Sequence, residues 1–354
     1  MRAVGGPAMM RALRWHARGD VRLDDVPRPA APSDGEMQLR VLWCGVCGTD
    51  VEELRAGPIF IPLEPHPLTG ACAPLTLGHE VTGEIVAVPP GSRWTPGAHV
   101  AVDGLSFCGT CRYCRRHRVT LCEKLSSIGL MSDGGLAEFV NVPEAGCYAI
   151  PDGVGTDAAA LSETLAVGVR ALRRGRMSPG NRVTVFGAGP VGLLAAQAAR
   201  AMGASRVWAV DPDTSRREIA RALGLDRALH PSDVDEGNAD LVLECSGAAA
   251  GARAAVRAAD RSGRVILVGI APEPAAIDLL SVLMGEREIL GSLSHVYDED
   301  FAAAVHMLGA GVVDAAPLIS TRLPLSRALD GLLALAEPGH GFMKVLVTPE
   351  EIPA

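Results

Sequence analysis

The chain has 354 residues, of which 48% are hydrophobic and 21% charged, and its formal net charge is −8. This length provides for two domains with separate cores, and the composition is that of an ordinary soluble globular protein. An acidic balance without a basic run argues against nucleic acid as a partner. The longest apolar segment, residues 190–199, is far too short to cross a bilayer, so no membrane association is expected.

Residues 1–10 lack the apolar segment of a secretory signal, and we predict a disordered extension there. The nine cysteines are odd in number and several are closely spaced. This usage favours metal ligation in a reducing compartment over a disulfide framework, so a cytoplasmic protein is expected.

The first half of the chain contains short apolar runs between Gly- and Pro-rich turns and no long helical periods. This pattern predicts a β-rich, barrel-like domain. The predicted strands are residues 11–16, 22–26, 36–43, 83–88, 99–102 and 137–142.

Two motifs in this half contain zinc-binding residue types: Cys47 with the following Gly-Thr-Asp, and His79 between Gly and Glu. Thr49 supplies a hydroxyl, and Asp50 and Glu80 supply carboxylates that could orient a ligand histidine. One interpretation is a catalytic zinc with an open coordination position. The wide separation in sequence also fits a buried cysteine and a loop histidine that never meet.

A Pro-rich loop at residues 56–77 joins the two motifs, and loops of this length in compact domains are commonly functional. We expect it to wall a substrate pocket or to pack on a partner subunit. A mobile surface flap is the alternative.

Four cysteines within fifteen residues could close a tetrahedral all-cysteine site, which is typical of structural zinc. An iron–sulfur cluster and ordinary core cysteines are the alternatives. The four residues are Cys108, Cys111, Cys114 and Cys122.

Strands and helices alternate from about residue 156, which predicts a doubly wound parallel sheet. The predicted strands are 182–186, 206–210, 241–245 and 264–269, with helices after the first two and an Ala-rich helix between the last two. After residue 294 the alternation weakens. Helices are predicted at 298–308 and 326–335, and a last strand at 342–348 returns to the first domain.

A glycine pattern, G-x-G-x-x-G, follows the strand at 182–186 and opens a helix, which is the context of a dinucleotide site. The first glycine permits a tight turn, the second lets the pyrophosphate approach the backbone, and the third allows close packing. Helix N-terminal amides would bind the phosphates. The residues of this pattern are Gly187, Gly189, Pro190, Val191 and Gly192.

Asp211 ends the next predicted strand, where a carboxylate accepts hydrogen bonds from the adenosine ribose hydroxyls and repels a 2′-phosphate. NAD is therefore expected in preference to NADP. Arg216 and Arg217 are the counter-argument, because a nearby arginine can accommodate that phosphate.

Together these motifs resemble the zinc-dependent medium-chain dehydrogenases along nearly the whole chain, in particular the 2,3-butanediol and sorbitol dehydrogenase branch. The resemblance rests on the two zinc motifs, the four cysteines, the segment 133–139, Glu163, the loop 57–70 and the glycine pattern with Asp211. It implies an α/β fold class: a β-rich GroES-like catalytic domain, discontinuous at 11–158 and 296–354, plus a Rossmann domain at 159–295.

The resemblance also implies roles for individual residues. Cys47 and His79 are the catalytic zinc ligands, Glu163 takes the place of the second cysteine of classical alcohol dehydrogenases, and Glu80 is either a ligand or a group behind one. Thr49 binds the substrate oxygen, and Asp50 orients the ligand histidine. The implied cofactors are NAD and two zinc ions per chain, and the implied assembly is a homodimer or homotetramer.

Three positions differ from the pattern of that branch. Glu52 stands where a histidine usually completes the proton relay, so either Glu52 or another route carries the proton. Thr164 replaces a proline after Glu163, and Thr49 replaces a serine.

The expected activity is NAD-linked oxidation of a vicinal diol or hydroxyketone, with a polyol, cyclitol or aminocyclitol as the alternative substrate. Hypotheses of another class are a zinc-free reductase of double bonds and a non-catalytic NAD(H) sensor.

Overall fold

The computed structural model describes residues 8–271, 273–337, 339 and 341–352. It divides the chain into two compact units: one contains the residues up to Glu163 and those from Ile319 onward, and the other is Thr164–Leu318. Residues 1–7 of the predicted N-terminal extension lie outside the described residues. The first strand begins at Met9, two residues before the predicted start.

The strands, numbered along the chain, are β1 Met9–Ala17, β2 Asp20–Pro27, β3 Glu36–Val46, β4 Leu75–Thr76, β5 Glu80–Ala87, β6 His99–Val102, β7 Leu105–Ser106, β8 Ser126–Ser127, β9 Phe139–Pro143, β10 Cys147–Ala149, β11 Arg182–Phe186, β12 Arg206–Val210, β13 Arg227–Leu229, β14 Ala239–Glu244, β15 Ala259–Leu267, β16 Glu288–Gly291, β17 Ile319–Pro324 and β18 Lys344–Thr348. The α-helices are α1 Gly48–Ala56, α2 Thr156–Ala159, α3 Ser162–Arg174, α4 Pro190–Ala201, α5 Thr214–Ala222, α6 Ala249–Ala258, α7 Leu279–Gly285, α8 Ala302–Gly309 and α9 Ala328–Ala336.

The first unit is built on a seven-stranded sheet in which β3 pairs with β5, β9 and β18, all antiparallel. β18 comes from the end of the chain, so this unit is discontinuous in sequence. Alternating apolar residues of the strands fill one core, which includes Leu39, Val81 and Val345. The last strand therefore lies beside β3, on the side opposite to β5.

The second unit is a six-stranded sheet in the order β13-β12-β11-β14-β15-β16, and every neighbouring pair is parallel. This is the strand order of a dinucleotide-binding doubly wound sheet. The predicted fold class, a β-rich unit plus a doubly wound α/β unit, is confirmed.

The two units divide the chain later than the sequence-based boundaries of 158/159 and 295/296. Residues 296–318 pack with the second unit because polar side chains anchor them there. Asp300 accepts a hydrogen bond from Arg173 at 2.9 Å, and Gln197 exchanges two hydrogen bonds with the backbone of Asp314. The segment predicted as a helix at 298–308 begins as a π-helix at Tyr297–Phe301 and continues as α8.

The sequence pattern of the first half of the chain did not indicate helix α1, nor the short strands β4, β7, β8 and β10. The buried residues of α1 include Val51 and Leu54, which pack into the core of the first unit. Nine residues are too few for a clear helical period, and its stability comes from this packing.

Candidate active site

Cys47 lies at the N-cap of α1, so the helix places the following residues around it. The Asp50 carboxylate accepts a hydrogen bond from the Cys47 backbone N–H at 2.8 Å, which fixes the first turn. The N-terminus of a helix carries partial positive charge, and the Cys47 side chain lies at this end of α1.

The structure brings Cys47 together with Glu80, the first residue of β5, and His79, which precedes it. One ligand atom from each of the three lies within 4.8 Å of the others. His79 and Glu80 are buried, at 7% and 0% exposure, and Cys47 is partly exposed. Sulfur, imidazole and carboxylate within this distance form a donor set that fits zinc.

The Asp50 carboxylate faces the imidazole of His79, which is the position predicted for a carboxylate that orients a ligand histidine. Its Oδ1 lies 3.8 Å from His79 Nδ1, and neither atom has a hydrogen-bond partner in the part of the chain described. Burial disfavours the protonated imidazole, but Asp50 and Cys47 outweigh it and raise the pKa of His79 well above its usual value. Because Nδ1 faces the Asp50 carboxylate, Nε2 is the ring nitrogen left for a metal, which is the usual arrangement of a ligand histidine.

Glu80 is held from its other side by Lys344, the first residue of β18. Lys344 Nζ donates to both carboxylate oxygens, at 2.5 and 2.8 Å, and both side chains are almost completely buried. Gly45 on β3 leaves the space for this carboxylate, because a Cβ there would lie 1.9 Å from Glu80 Oε2. Glu80 thus belongs to the three-ligand group and to a buried ion pair.

Glu163 is the second residue of α3 and is partly buried. Its charge contributes to the raised pKa values of both His79 and Lys344, so the carboxylate lies near the ligand group. Within the described residues it does not belong to the group of ligand atoms within 4.8 Å. Direct ligation by Glu163 stays a prediction.

The two remaining polar residues of α1 are arranged differently. Thr49 Oγ1 lies 3.7 Å from Cys47 Sγ, so the hydroxyl is beside the ligand group as predicted. Glu52 is half-buried on the same helix, and its side chain makes no hydrogen bond or ion pair with another described residue. A part in proton transfer stays a prediction for Glu52.

The four-cysteine cluster forms a second site in the same unit. The Sγ atoms lie within 4.8 Å of one another, with Cys111 and Cys114 at 3.5 Å, whereas a zinc tetrathiolate has sulfur separations of about 3.8 Å. Backbone N–H groups donate to the sulfurs of Cys108, Cys111 and Cys122 at 3.3 to 3.5 Å. Such bonds lower the pKa of Cys108 to about 6, and burial raises the pKa of Cys114 to about 12. The cluster fits a closed zinc site.

The glycine turn of the second unit has the backbone geometry that the glycine pattern predicts, and phosphate binding there stays a prediction. Gly187 has φ of 92°, and a Cβ on it would lie 2.7 Å from the backbone nitrogen of Ser246. Gly189 faces open space, since a Cβ on it would have no neighbouring atom within 4 Å. Gly192 packs against Gly187, whose carbonyl oxygen would lie 1.9 Å from a Cβ on Gly192. Pro190 and Val191 form the first turn of α4.

Asp211 follows β12 and is 4% exposed. Its Oδ2 accepts a hydrogen bond from the Ala188 N–H and its Oδ1 one from the Asp213 N–H, both at 2.8 Å. Arg216 lies 3.8 Å from the same carboxylate, and Arg217 donates to backbone oxygens of residues 211 and 212. The carboxylate therefore braces the glycine turn from the position expected for a ribose-binding acid.

Known protein families match both halves of the chain. The alcohol dehydrogenase GroES-like domain matches residues 33–152, and the zinc-binding dehydrogenase domain matches residues 190–310. The (R,R)-butanediol dehydrogenase of Bacillus subtilis is 31% identical over 353 residues, which cover 96% of this chain and 100% of that protein. This chain belongs to the zinc-dependent medium-chain dehydrogenase family.

Two further comparisons describe the neighbourhood of this dehydrogenase. The sorbitol dehydrogenase of Homo sapiens is 32% identical over 335 residues, which cover 90% of each chain. A protein from Sinorhizobium meliloti described as a zinc-binding dehydrogenase and bound to NADP has a TM-score of 0.87 at 30% identity, covering 97% of this chain and 100% of that one. The dehydrogenase is an oxidoreductase of the zinc- and nicotinamide-dependent class.

Sequence reasoning missed Lys344 in this dehydrogenase. Its signal was a single lysine at the start of an apolar strand, all five residues of which are buried. Within the described residues, no helix of the dehydrogenase is both long and apolar enough to cross a membrane.

Proposed function

We propose that this dehydrogenase oxidises a secondary alcohol with a neighbouring oxygen, a vicinal diol or hydroxyketone, with NAD as the hydride acceptor. The observation that carries the proposal is the convergence of Cys47, His79 and Glu80, with the charge of Glu163 close by. Relatives that are butanediol and sorbitol dehydrogenases support the substrate class.

Cys47, His79 and Glu80 are the residues that would hold the catalytic zinc. Zinc bound there would act as a Lewis acid toward the alcohol oxygen and so favour loss of its proton near neutral pH. Asp50 keeps the imidazole oriented, and the Thr49 hydroxyl accepts the proton of the substrate hydroxyl and passes it on. Glu52 is the candidate for the next transfer, because it lies on the same helix and its carboxylate is not engaged by another described residue.

The preference for a substrate with two adjacent oxygens follows from the acids around the ligand group. Glu163 is not among the three grouped ligand residues, and as a carboxylate it can accept a hydrogen bond from a second hydroxyl. The apolar loop residues Ile59 and Phe60 favour a small diol of the butanediol type over a polyol, cyclitol or aminocyclitol, which are the second candidate.

NAD is proposed over NADP because Asp211 places a buried carboxylate after β12, where it would repel a 2′-phosphate. Arg217 is engaged with backbone oxygens, which leaves Arg216 as the nearer group for such a phosphate. The NADP bound to the Sinorhizobium protein makes this a point to test directly.

The test combines a substrate panel with metal analysis on one preparation. Initial rates with NAD and NADP on butanediols, acetoin, sorbitol and cyclitols identify the class, and no oxidation of any vicinal diol would refute both candidates. We expect two zinc ions per chain, one lost in Cys47→Ser and the other in Cys111→Ser. Glu80→Gln should lose the same ion as Cys47→Ser, whereas Glu163→Gln should keep it; the reverse pattern would make Glu163 the ligand.

A homodimer or homotetramer in the cytoplasm is proposed as the working form. β16 is an edge strand of its sheet, and α7 beside it in sequence exposes apolar side chains that water does not favour. Their exposures are Leu279 75%, Leu280 65%, Leu283 71% and Met284 70%. Light scattering after size exclusion measures the mass, and Leu283→Glu should lower it if this surface joins subunits; a monomeric parent protein would refute the proposal.

A further inference from the structure

Glu53, at the C-terminal end of α1, is a completely buried carboxylate that the proposed chemistry does not use. Burying a charged group is costly unless it is hydrogen-bonded or paired. In the described part of the chain no lysine, arginine or histidine forms an ion pair with Glu53. Its compensation comes instead from backbone N–H groups of the loop that follows the helix.

Three consecutive residues of that loop donate to the carboxylate. The Ile59 N–H lies 3.0 Å from Oε2 and 3.2 Å from Oε1, the Phe60 N–H lies 2.5 Å from Oε1, and the Ile61 N–H lies 3.3 Å from Oε1. Hydrogen bonds to a charged acceptor are stronger than neutral ones, so one side chain fixes three successive residues.

The backbone of Glu53 is itself held in place. Its carbonyl oxygen accepts hydrogen bonds from Trp15 Nε1 at 2.9 Å and from the Gly57 N–H at 3.0 Å. Trp15 is a buried residue of β1, so the helix end is attached to the three-stranded sheet β2-β1-β4 of the first unit. Gly57 is closely packed, because a Cβ there would lie 2.3 Å from the Glu53 carbonyl oxygen and 2.5 Å from Oε2.

The held segment has an inward and an outward side. Ile61 is 3% exposed and belongs to the core, whereas Ile59 is 45% exposed and Phe60 is partly exposed. The segment follows closely after the helix that carries Thr49 and has Cys47 at its N-cap, and the same loop ends near His79. Loops carry a large share of binding residues in proteins, and exposed apolar side chains on them commonly mark a binding surface.

We propose that Glu53 is a positioning residue for substrate selectivity: its carboxylate holds residues 59–61 so that Ile59 and Phe60 form a fixed apolar wall of the alcohol site. The inference rests on the proposed function and adds the structural feature that determines which diol is preferred. Glu53 itself does not contact substrate, because its carboxylate is enclosed by the loop backbone.

The test compares Glu53→Leu, which has no acceptor, with Glu53→Gln, which keeps one side-chain oxygen for the three N–H groups. Glu64→Gln, an exposed acid of the same loop, is the matched control. In Glu53→Leu we expect the KM of the preferred small diol to rise about tenfold while kcat changes by less than about threefold, because a misplaced wall weakens positioning. Its preference for butanediol over sorbitol should fall, and Glu53→Gln should restore most of both properties.

A second measurement does not need a substrate. Chymotrypsin should cleave Glu53→Leu after Phe60 or Leu63, while the parent protein, Glu53→Gln and Glu64→Gln resist. If no diol is oxidised by the parent protein, the proposed function fails, and this digestion still decides whether Glu53 holds the loop.

Three outcomes would overturn the inference. The first is that Glu53→Leu keeps the parental KM and resists cleavage, and the second is that this variant loses the catalytic zinc. The third is that Glu53→Leu has a lower oligomer mass and an unchanged KM, which would assign the loop to a subunit contact. Should Glu53→Leu not fold, Gly57→Ala displaces the same carboxylate by contact and is expected to give the same KM and cleavage pattern.

Discussion

Replacing Lys344 with methionine removes the ammonium group that holds both oxygens of Glu80. Burial lowers the pKa of Lys344, but Glu80 raises it above its usual value overall, so the lysine is charged in the folded protein. Methionine fills the same unbranched volume without charge. Because the side chains are 4% and 0% exposed, the variant leaves a buried carboxylate without its partner. Such a loss costs about 3–5 kcal/mol of unfolding free energy.

The assay is equilibrium unfolding in urea after dialysis against a chelator, so that a metal ion does not replace the missing charge. Two units need not unfold together, so the signal should report one of them. Trp15, Trp43 and Trp94 lie in the first unit and Trp208 in the second. In a Trp208→Phe background, tryptophan fluorescence reports the unit that contains the ion pair.

The matched control is the double variant Glu80→Gln with Lys344→Met, which removes both charges and keeps both volumes. We expect it to recover most of the stability lost in Lys344→Met, because no charge is left buried and unpaired. If Lys344→Met loses less than about 1 kcal/mol of unfolding free energy, the ion pair contributes no more than an exposed pair does, and the reasoning from its burial is refuted. A double variant as unstable as Lys344→Met would also refute it.

Three other predictions concern the two sites. Glu163→Ala should keep both zinc ions while kcat falls at least about a hundredfold, because a substrate-positioning carboxylate is lost; unchanged kcat would remove Glu163 from the site. Asp211→Gly should weaken NADH binding and raise the ratio of kcat/KM with NADP to kcat/KM with NAD. The affinity for NADP should nevertheless stay poor, because the Ala188 N–H loses its acceptor. An unchanged ratio would contradict the role of Asp211. Gly189→Ala should fold normally but bind NADH weakly, because the new methyl group occupies the space through which the pyrophosphate approaches the backbone. Gly192→Ala should instead lower the melting temperature, because its methyl group clashes with the glycine turn. Calorimetry and NADH titration separate the two effects, and equal effects of the two variants would contradict the roles given to these glycines.

Local patterns in the sequence were sufficient for the central strands and the glycine turn of the second unit, whereas β13 and β16 were not predicted. β11 and β12 have the predicted bounds, and the glycines of the turn have the predicted freedom, space and close packing. Parallel strands buried on both faces are continuous apolar runs, and the turn between strand and helix needs glycine at fixed spacing. Each of these properties is a matter of neighbouring residues, so a single sequence can reveal it.

Residues whose partners are distant in sequence were harder to predict. Lys344 and Glu80 meet because β18 pairs with β3 beside β5, a pairing that no local pattern encodes. No role for Glu53 followed from the sequence, because nothing local distinguishes it from the neighbouring acid Glu52. The fold buries Glu53 and leaves Glu52 half-exposed, because one of them points toward the loop backbone.

Helix α1 links a metal-binding motif at one end to the loop anchored at the other, and this sets a rule for re-engineering the enzyme. Each residue of an α-helix advances about 1.5 Å and rotates by about 100°. A single insertion or deletion between Thr49 and Glu53 would therefore turn the anchor away from residues 59–61 while every recognisable motif remained intact. Segments exchanged between relatives to change substrate range must therefore keep the number of residues between Thr49 and Glu53, before their composition is considered.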